Sequence, residues 1–250
     1  MIELHTMVPA FGLPTFTPFG LKLILYLRMA SLPFRIVVEH DPSRGPKGKF
    51  PWIVDGERTL ADSGFIVRYL EERFNPGLDH HLTAEARARA HALRRMLEES
   101  LCFSILYFRW VDDATYRTAT DVALVGMPRP VRAVARPLIR RRILRDLRGQ
   151  GVLRHAPEEV AQLGRADLDA LAQQLGDQPH VMGAKPCSLD ATVAAFLAVL
   201  LRVPFDNPLA RAARRHDNLV RYTNRMERVW EAGGAFGERD GASGQGRAPA

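Results

Sequence analysis

A mixed α/β lobe followed by a larger all-helical lobe (α/β plus all-α) is the fold class this sequence predicts. Three observations lead to it. Residues 2–39 alternate between β-branched strand patterns and one strongly apolar helix, and a short hairpin and a second helix follow before residue 78. Beyond His80 the periodicity is almost wholly helical. The predicted division is an α/β domain over 1–78 and an all-helical domain over 84–232 with a basic helical insertion near 129–154. Residues 233–250, rich in Gly, Ala and Ser without apolar periodicity, read as a disordered tail.

Residues 2–8 read as a strand, and Gly12 to Pro18 as a turn-rich loop punctuated by glycine and proline. Phe19 to Ala30 is an apolar helix with Thr17 as N-cap and Pro18 at its first position. Phe34 to Glu39 is strand-like. Trp52-Ile53-Val54 and Thr59-Leu60 flank Asp55-Gly56, a hairpin signal. A helix over 62–74 stops at Asn75-Pro76-Gly77. In the helical part, periodic segments run from Ala84 to Tyr107, Glu158 to Leu175, Ser188 to Leu201 and Leu219 to Trp230.

The chain has 250 residues, ample for a sizeable core, and no apolar run approaches the roughly 20 residues needed to span a bilayer. The start of the chain lacks a basic-then-apolar signal layout, and Cys102 and Cys187 make neither a CxxC nor a zinc pattern. A reducing cytoplasm is the expected location. The net charge of +7 is concentrated between Arg129 and Arg154, without a zinc finger, an RNP-type aromatic pair or a KH-like loop. Nucleic acid is therefore not an expected partner. His80-His81 has no further ligand at metal spacing, so no metal site is expected.

Three short stretches could carry chemistry. A hydroxyl at Thr17 sits where the helix dipole is most positive, and a thiol delivered there would be held as thiolate. Lowering a thiol from about 8.5 by two units takes roughly 2.7 kcal/mol, within reach of one charged hydrogen bond plus the dipole. The plain alternative is a structural N-cap. Phe50-Pro51 reads either as a trans proline on an edge strand or as a cis bond that turns the Phe50 backbone toward an open edge for a peptide. Asp62-Ser63 reads either as a cap or as a carboxylate-and-ammonium grip at a helix N-terminus.

The order Thr17-Pro18-Phe19, Lys49-Phe50-Pro51-Trp52-Ile53, Ala61-Asp62-Ser63 resembles the N-terminal thioredoxin-like domain of glutathione transferases. The more specific resemblance is to the metaxin and failed-axon-connections (Fax-like) branch and its bacterial members. Supporting stretches are Phe19 to Leu23, Tyr26 to Ala30, Pro46 to Pro51, Gly149 to His155, Asp167 to Leu171, Pro204 to Leu209 and Asn218 to Tyr222, so the resemblance covers roughly 2–231. It implies a thioredoxin-like domain followed by a helical bundle, and glutathione as substrate. Thr17 then takes the catalytic place of the family's usual Ser, Phe50 pairs with the cysteinyl backbone, and Asp62 and Ser63 grip the γ-glutamyl end. Phe19, Lys49 and Pro51 complete that glutathione-binding set. Gly20 stands where many relatives have a cysteine, which removes disulfide chemistry at that position. Threonine for serine adds a methyl and a stiffer χ1.

The resemblance also implies a homodimer, and a small hydrophobic electrophile lined by Tyr107, Arg109 and Trp110; for those three a core reading stands beside it. Conjugation of glutathione to that electrophile is one expected function. The other is a non-catalytic glutathione-binding or protein-interaction module of metaxin/Fax type. Cys187-Ser188-Leu189-Asp190 matches a capping box with a poor acceptor at the cap, so Ser188 is expected to take that role. The seven arginines from Arg132 to Arg148, interleaved with Val134, Leu138, Ile139, Ile143, Leu144 and Leu147, read as a solvated helical face or as a membrane-surface or acidic-partner segment. Charge runs favour the first.

Overall fold

A computed structural model describes residues 1–231; the tail expected over 233–250 lies outside the described residues. Four strands form one sheet, β1 (Ile2–Thr6), β2 (Phe34–Val38), β3 (Trp52–Asp55) and β4 (Arg58–Ala61), in the order β2-β1-β3-β4. β1 runs parallel to β2 and antiparallel to β3, and β3 pairs with β4 from Trp52↔Ala61 to Asp55↔Arg58. The hairpin turn is thus Gly56-Glu57, one residue later than the dipeptide signal, with Gly56 at φ +61°. A residue without Cβ is needed there. Parallel β1 and β2 require a crossover, supplied by α1 (Pro18–Met29), and α2 (Ser63–Phe74) follows β4. Asn75 closes α2 in the left-handed conformation.

The sequence of α1, with Leu, Ile and Tyr on every face, suits a helix buried all round. Residues 20–27 are all buried, between the sheet on one side and α8 (Ser188–Leu201) and α10 (Asp217–Glu231) on the other. Phe19 meets Phe196 of α8 edge to face at 5.6 Å. Arg28 donates to the carbonyls of Val229 and Trp230 in α10. One apolar core therefore runs through both parts of the chain.

The remaining helices are α3 (Ala84–Arg95), a π-helical turn Met96–Leu101, α4 (Cys102–Trp110), α5 (Asp113–Ala123), α6 (Arg129–Gln150), α7 (Pro157–Leu175) and α9 (Pro208–Arg215). The single helix expected over 84–107 is thus interrupted by a wider turn. α5 and α9, short and capped by Asp112 and Asn207 side chains, gave no long periodic signal. α6 passes through Pro137 unbroken, with Ala133 and Pro137 both exposed so that water can satisfy the carbonyl freed by proline. No described helix is long and apolar enough to cross a membrane. No group of three His, Cys, Asp or Glu side chains among the described residues could hold a metal ion.

Asp190 organises the start of α8. It is fully buried and accepts from the backbone N–H of Val181 (2.9 Å) and Cys187 (2.8 Å) and from the Tyr222 hydroxyl (2.8 Å). Ser188 does not cap its own helix: its N–H and hydroxyl donate to Asp79 at 2.7 and 2.5 Å, tying α8 to the segment after α2. Burial alone would raise the Asp190 carboxyl, but the neighbouring His180 ring and the donated hydrogen bonds outweigh it and hold the pKa below the ordinary 3.8. A carboxyl so lowered contributes stability above about pH 4 that is lost as pH falls below that value. Asp190→Ala, which strands these donors, should cost about 3 kcal/mol or more in urea unfolding followed by circular dichroism. It should also flatten the loss of stability below pH 4 relative to the parent.

Candidate functional site

The N-terminus of α1 faces a cavity of roughly 330 Å³ between the two parts of the chain. One wall is Met7, Val8, Thr17, Glu39, His40, Pro42, Gly48, Lys49 and Phe50; the other is Trp110, Ala123, Leu124, Ile139, Arg142, Ile143 and Asp146. Thr17, Lys49, Phe50 and Trp110 are thus the sequence-predicted residues that the fold brings together.

Thr17 is the N-cap residue of α1 in extended conformation, yet its side chain makes no capping hydrogen bond. Its carbonyl accepts from Leu21 (3.0 Å), while the hydroxyl, at the positive end of the dipole, makes no hydrogen bond among the described residues. Pro18 has no N–H, so the first free donors come from the residues after it. Gly20 sits under this arrangement. A Cβ there would meet Thr6 Oγ1 at 2.1 Å, the Thr17 methyl at 2.9 Å and the Thr15 methyl at 3.0 Å. Threonine at 17 and glycine at 20 are coupled: the added methyl lies over the glycine, and Thr6 and Thr15 bond to each other at 3.0 Å beneath it.

The Phe50-Pro51 bond is cis. The ladders on both sides of β3 begin at Trp52, so the Phe50 backbone lies outside them. Its ring stacks on Trp52 at 5.5 Å, and Trp52 on His5 at 5.0 Å. Pro51 is buried. β3 starts at Trp52, paired with Ala61 at the end of β4, so Phe50 precedes and Ser63 follows the same end of the hairpin. The α2 N-terminus and the Phe50 edge therefore share one end of the sheet, although Asp62 and Ser63 do not line the cavity.

Asp62 holds φ +81° and ψ 117°, sparsely populated for a residue with a side chain. Its Oδ1 accepts from Gly64 N–H (2.9 Å) and Phe65 N–H (3.4 Å), so it does cap α2. Strain of this kind, of order 1–3 kcal/mol, persists where surrounding structure enforces it. Ser63 is buried, and its hydroxyl accepts from the Lys22 ammonium at 3.0 Å, leaving the O–H proton free to donate. Lys22 in turn donates to Glu98 of the π-helical turn at 2.6 Å, with 2% and 10% of the two side chains exposed. Burial lowers the Lys22 pKa and the Glu98 charge does not fully restore it. The pair therefore fixes a geometry at a desolvation cost.

Three expected residues sit elsewhere. Phe19 packs in the core against Phe196. Tyr107 belongs to an apolar cluster with Leu147, Val152 and Val160, where burial raises its hydroxyl. Arg109 is buried with its guanidinium 4.7 Å from the Phe16 ring and 5.7 Å from the Phe205 ring, and no carboxylate pairs with it among the described residues. Burial pulls it down to about 10, still charged at neutral pH. Neither Tyr107 nor Arg109 lines the cavity, and of the two readings open for them their burial accords with the core one.

The residues missed from sequence are those of α6. Ile139, Arg142, Ile143 and Asp146 wall the cavity in a segment read as a solvated insertion. The i, i+4 spacing of Ile139, Ile143 and the buried Leu147 was the available signal. Lys22 was likewise legible only as a lone charge in Leu21-Lys22-Leu23.

Comparison with known proteins bears on these geometries. Residues 18–115 match the glutathione S-transferase N-terminal domain and residues 164–226 the glutathione S-transferase C-terminal domain; α6 lies between the two. The chain is 33% identical over 237 residues to isoprene-epoxide–glutathione S-transferase of Rhodococcus sp. (strain AD45), covering 92% of this chain and 100% of that protein. It is 30% identical to a metaxin-1 homolog of Caenorhabditis briggsae, over 92% of this chain and 74% of that one. A glutathione S-transferase from Methylobacillus flagellatus, solved with glutathione bound, shares the fold at TM-score 0.59 and 14% identity, over 93% of this chain and 98% of that one.

Lys22→Met should destabilise the protein by about 3–5 kcal/mol, because Glu98 is left buried without a partner. The double variant Lys22→Met/Glu98→Leu should recover most of that loss. Urea midpoints of the two single variants and the double variant check this, and additive losses would mean that the pair does not interact.

Proposed function

The chain belongs to the glutathione S-transferase family, in the branch it shares with metaxins and failed-axon-connections proteins, and from that premise we propose that it binds glutathione at the inter-lobe cavity and conjugates its sulfur to a small apolar epoxide. The carrying observation is the Thr17 hydroxyl, without a hydrogen bond among the described residues, at the dipole-positive end of α1 on the cavity wall. A thiol at that point gains one hydrogen bond to its anionic form and the field of a buried helix, which favours ionisation.

In this reading the Phe50 backbone, free of the sheet ladders, pairs with the cysteinyl unit as a short added strand. The Ser63 O–H and the α2 N-terminus take the γ-glutamyl carboxylate, with Lys22 holding the serine in place. Asp62 is set by its backbone to face the ammonium. The sulfur then lies opposite Trp110, Leu124 and Ile139, an apolar wall suited to a small hydrophobic electrophile. The glutathione thiol loses its proton to solvent, the thiolate forms the S–C bond as the C–O bond of the strained ring opens, and the alkoxide takes a proton from water. The protein contributes ionisation and proximity, with no general base required. An epoxide is named because the Rhodococcus relative carries it in its name.

A second reading, a glutathione-binding module without transfer chemistry, has support in the similarity to the metaxin-1 homolog. The two differ in one observable, the ionisation of bound thiol. Thr17→Ala should raise the pKa of bound glutathione toward its free value and cut conjugation at neutral pH by about 10–100-fold, roughly 1.4–2.7 kcal/mol, while Thr17→Ser stays near the parent. The loss should shrink as pH rises, since thiolate then forms without help. Steady-state rates against pH, with ultraviolet titration of bound thiolate, check both; a parent protein that binds glutathione without lowering its thiol pKa would decide for the module.

A further inference from the structure

Helix α6 carries eight arginines and one aspartate, a surplus of seven that equals the +7 of the whole chain, so the rest of the molecule is formally neutral. Its inward arginines are anchored. Arg132 and Arg136 pair with Asp121, and Arg140 pairs with Asp113 and donates to the carbonyls of Trp110 and Val111. The outward face is different. At helical spacing it reads Val131, Val134, Leu138, then Arg141, Arg145, Arg148.

The three apolar side chains are 49%, 63% and 59% exposed, and they continue through exposed Pro130, Ala133 and Pro137. The three arginines beyond them have no carboxylate partner among the described residues. Val131, Val134 and Leu138 exposed together on one helix cost hydration, and this is unusual enough to ask what covers them.

We infer that the outer face of α6 docks on an anionic lipid surface, with Val131, Val134 and Leu138 entering the headgroup boundary and Arg141, Arg145 and Arg148 lying against lipid phosphates. Charge complementarity selects this occupant. A helix of about 33 Å lying in the interface offers its apolar and cationic halves to a surface that supplies both environments at once. A second copy of the chain would cover the valines but bring two helices of sevenfold positive charge side by side. An acidic protein would answer the arginines, yet the face has no aromatic anchor, and the hollow beside it is lined mainly by arginines, Arg129, Arg132 and Arg136 with Ala133. The opposite face of the same helix walls the cavity through Ile139 and Ile143, so docking puts that wall about one helix diameter, 10–12 Å, from lipid.

Sedimentation with vesicles of phosphatidylcholine, alone or with a one-third share of phosphatidylglycerol, tests this on the full chain at low and raised salt. The full chain should pellet with the anionic vesicles only, less so as salt rises. Arg141→Glu/Arg145→Glu should weaken partitioning by about 25-fold or more, given roughly fivefold per arginine at a charged surface. Val134→Ser/Leu138→Ser, which changes no charge, should weaken it by a further independent factor of about tenfold or more. Both variants change exposed side chains, and an unchanged circular dichroism melt shows that they fold. The inference is overturned if the parent does not pellet at low salt, or pellets equally with neutral vesicles. It is also overturned if the serine pair leaves binding intact, which would mean charge attraction alone, as for an acidic protein partner. Light scattering that shows the serine pair turning a dimer into a monomer, without vesicle binding, would assign the face to a second copy.

Discussion

One lysine holds the candidate site together. Helix α1 is apolar on every face because the sheet and the helical bundle both close on it, and Lys22 is the one charge it buries fully. A buried ammonium must be partnered, and its two partners lie on opposite sides of the chain's division: Ser63 at the start of α2 and Glu98 in the π-helical turn between α3 and α4. The lowered Lys22 pKa says that this arrangement costs more in desolvation than the ion pair returns. What it supplies is position. It fixes the rotation of α1, and hence the direction of Thr17 at its start, and it fixes the hydroxyl of Ser63 at the start of α2.

Around that constraint the local choices agree. Gly20 lets the Thr17 methyl and the Thr6–Thr15 pair close under the first turn of α1, so threonine is accommodated where a smaller hydroxyl residue would otherwise be expected. The Phe50–Trp52–His5 stack supports the edge that precedes β3. Asp62 keeps a strained backbone while capping α2. The far wall comes from α4 and α6, so the cavity exists only when both parts of the chain are in place.

Much of this was legible in the sequence, for identifiable reasons. The strand–helix–strand–hairpin–helix order was readable because each element has its own punctuation, such as Pro18, Gly56 and Asn75. Thr17 and Phe50 were readable because hydroxyl-at-N-cap and X-Pro-before-strand are local patterns. Lys22 and Glu98 were not, since 76 positions separate them and neither belongs to a motif. For Tyr107 and Arg109 a pocket and a core reading stayed open, because which face of α4 meets the first domain depends on packing between segments distant in the chain. The inward role of α6 was masked by its arginines, whose charge draws the eye to solvent while Ile139 and Ile143 turn inward.

The central claim is that the Thr17 hydroxyl receives a glutathione sulfur in this cavity. A crystal structure of the full chain with glutathione at saturating concentration tests it most directly. The account predicts the sulfur within about 3.5 Å of Thr17 Oγ1, allowing for the long reach of a sulfur hydrogen bond, with the cysteinyl backbone on Phe50 and the γ-glutamyl carboxylate at Ser63. Glutathione bound with its sulfur away from Thr17, or a cavity left empty at saturation, would contradict it.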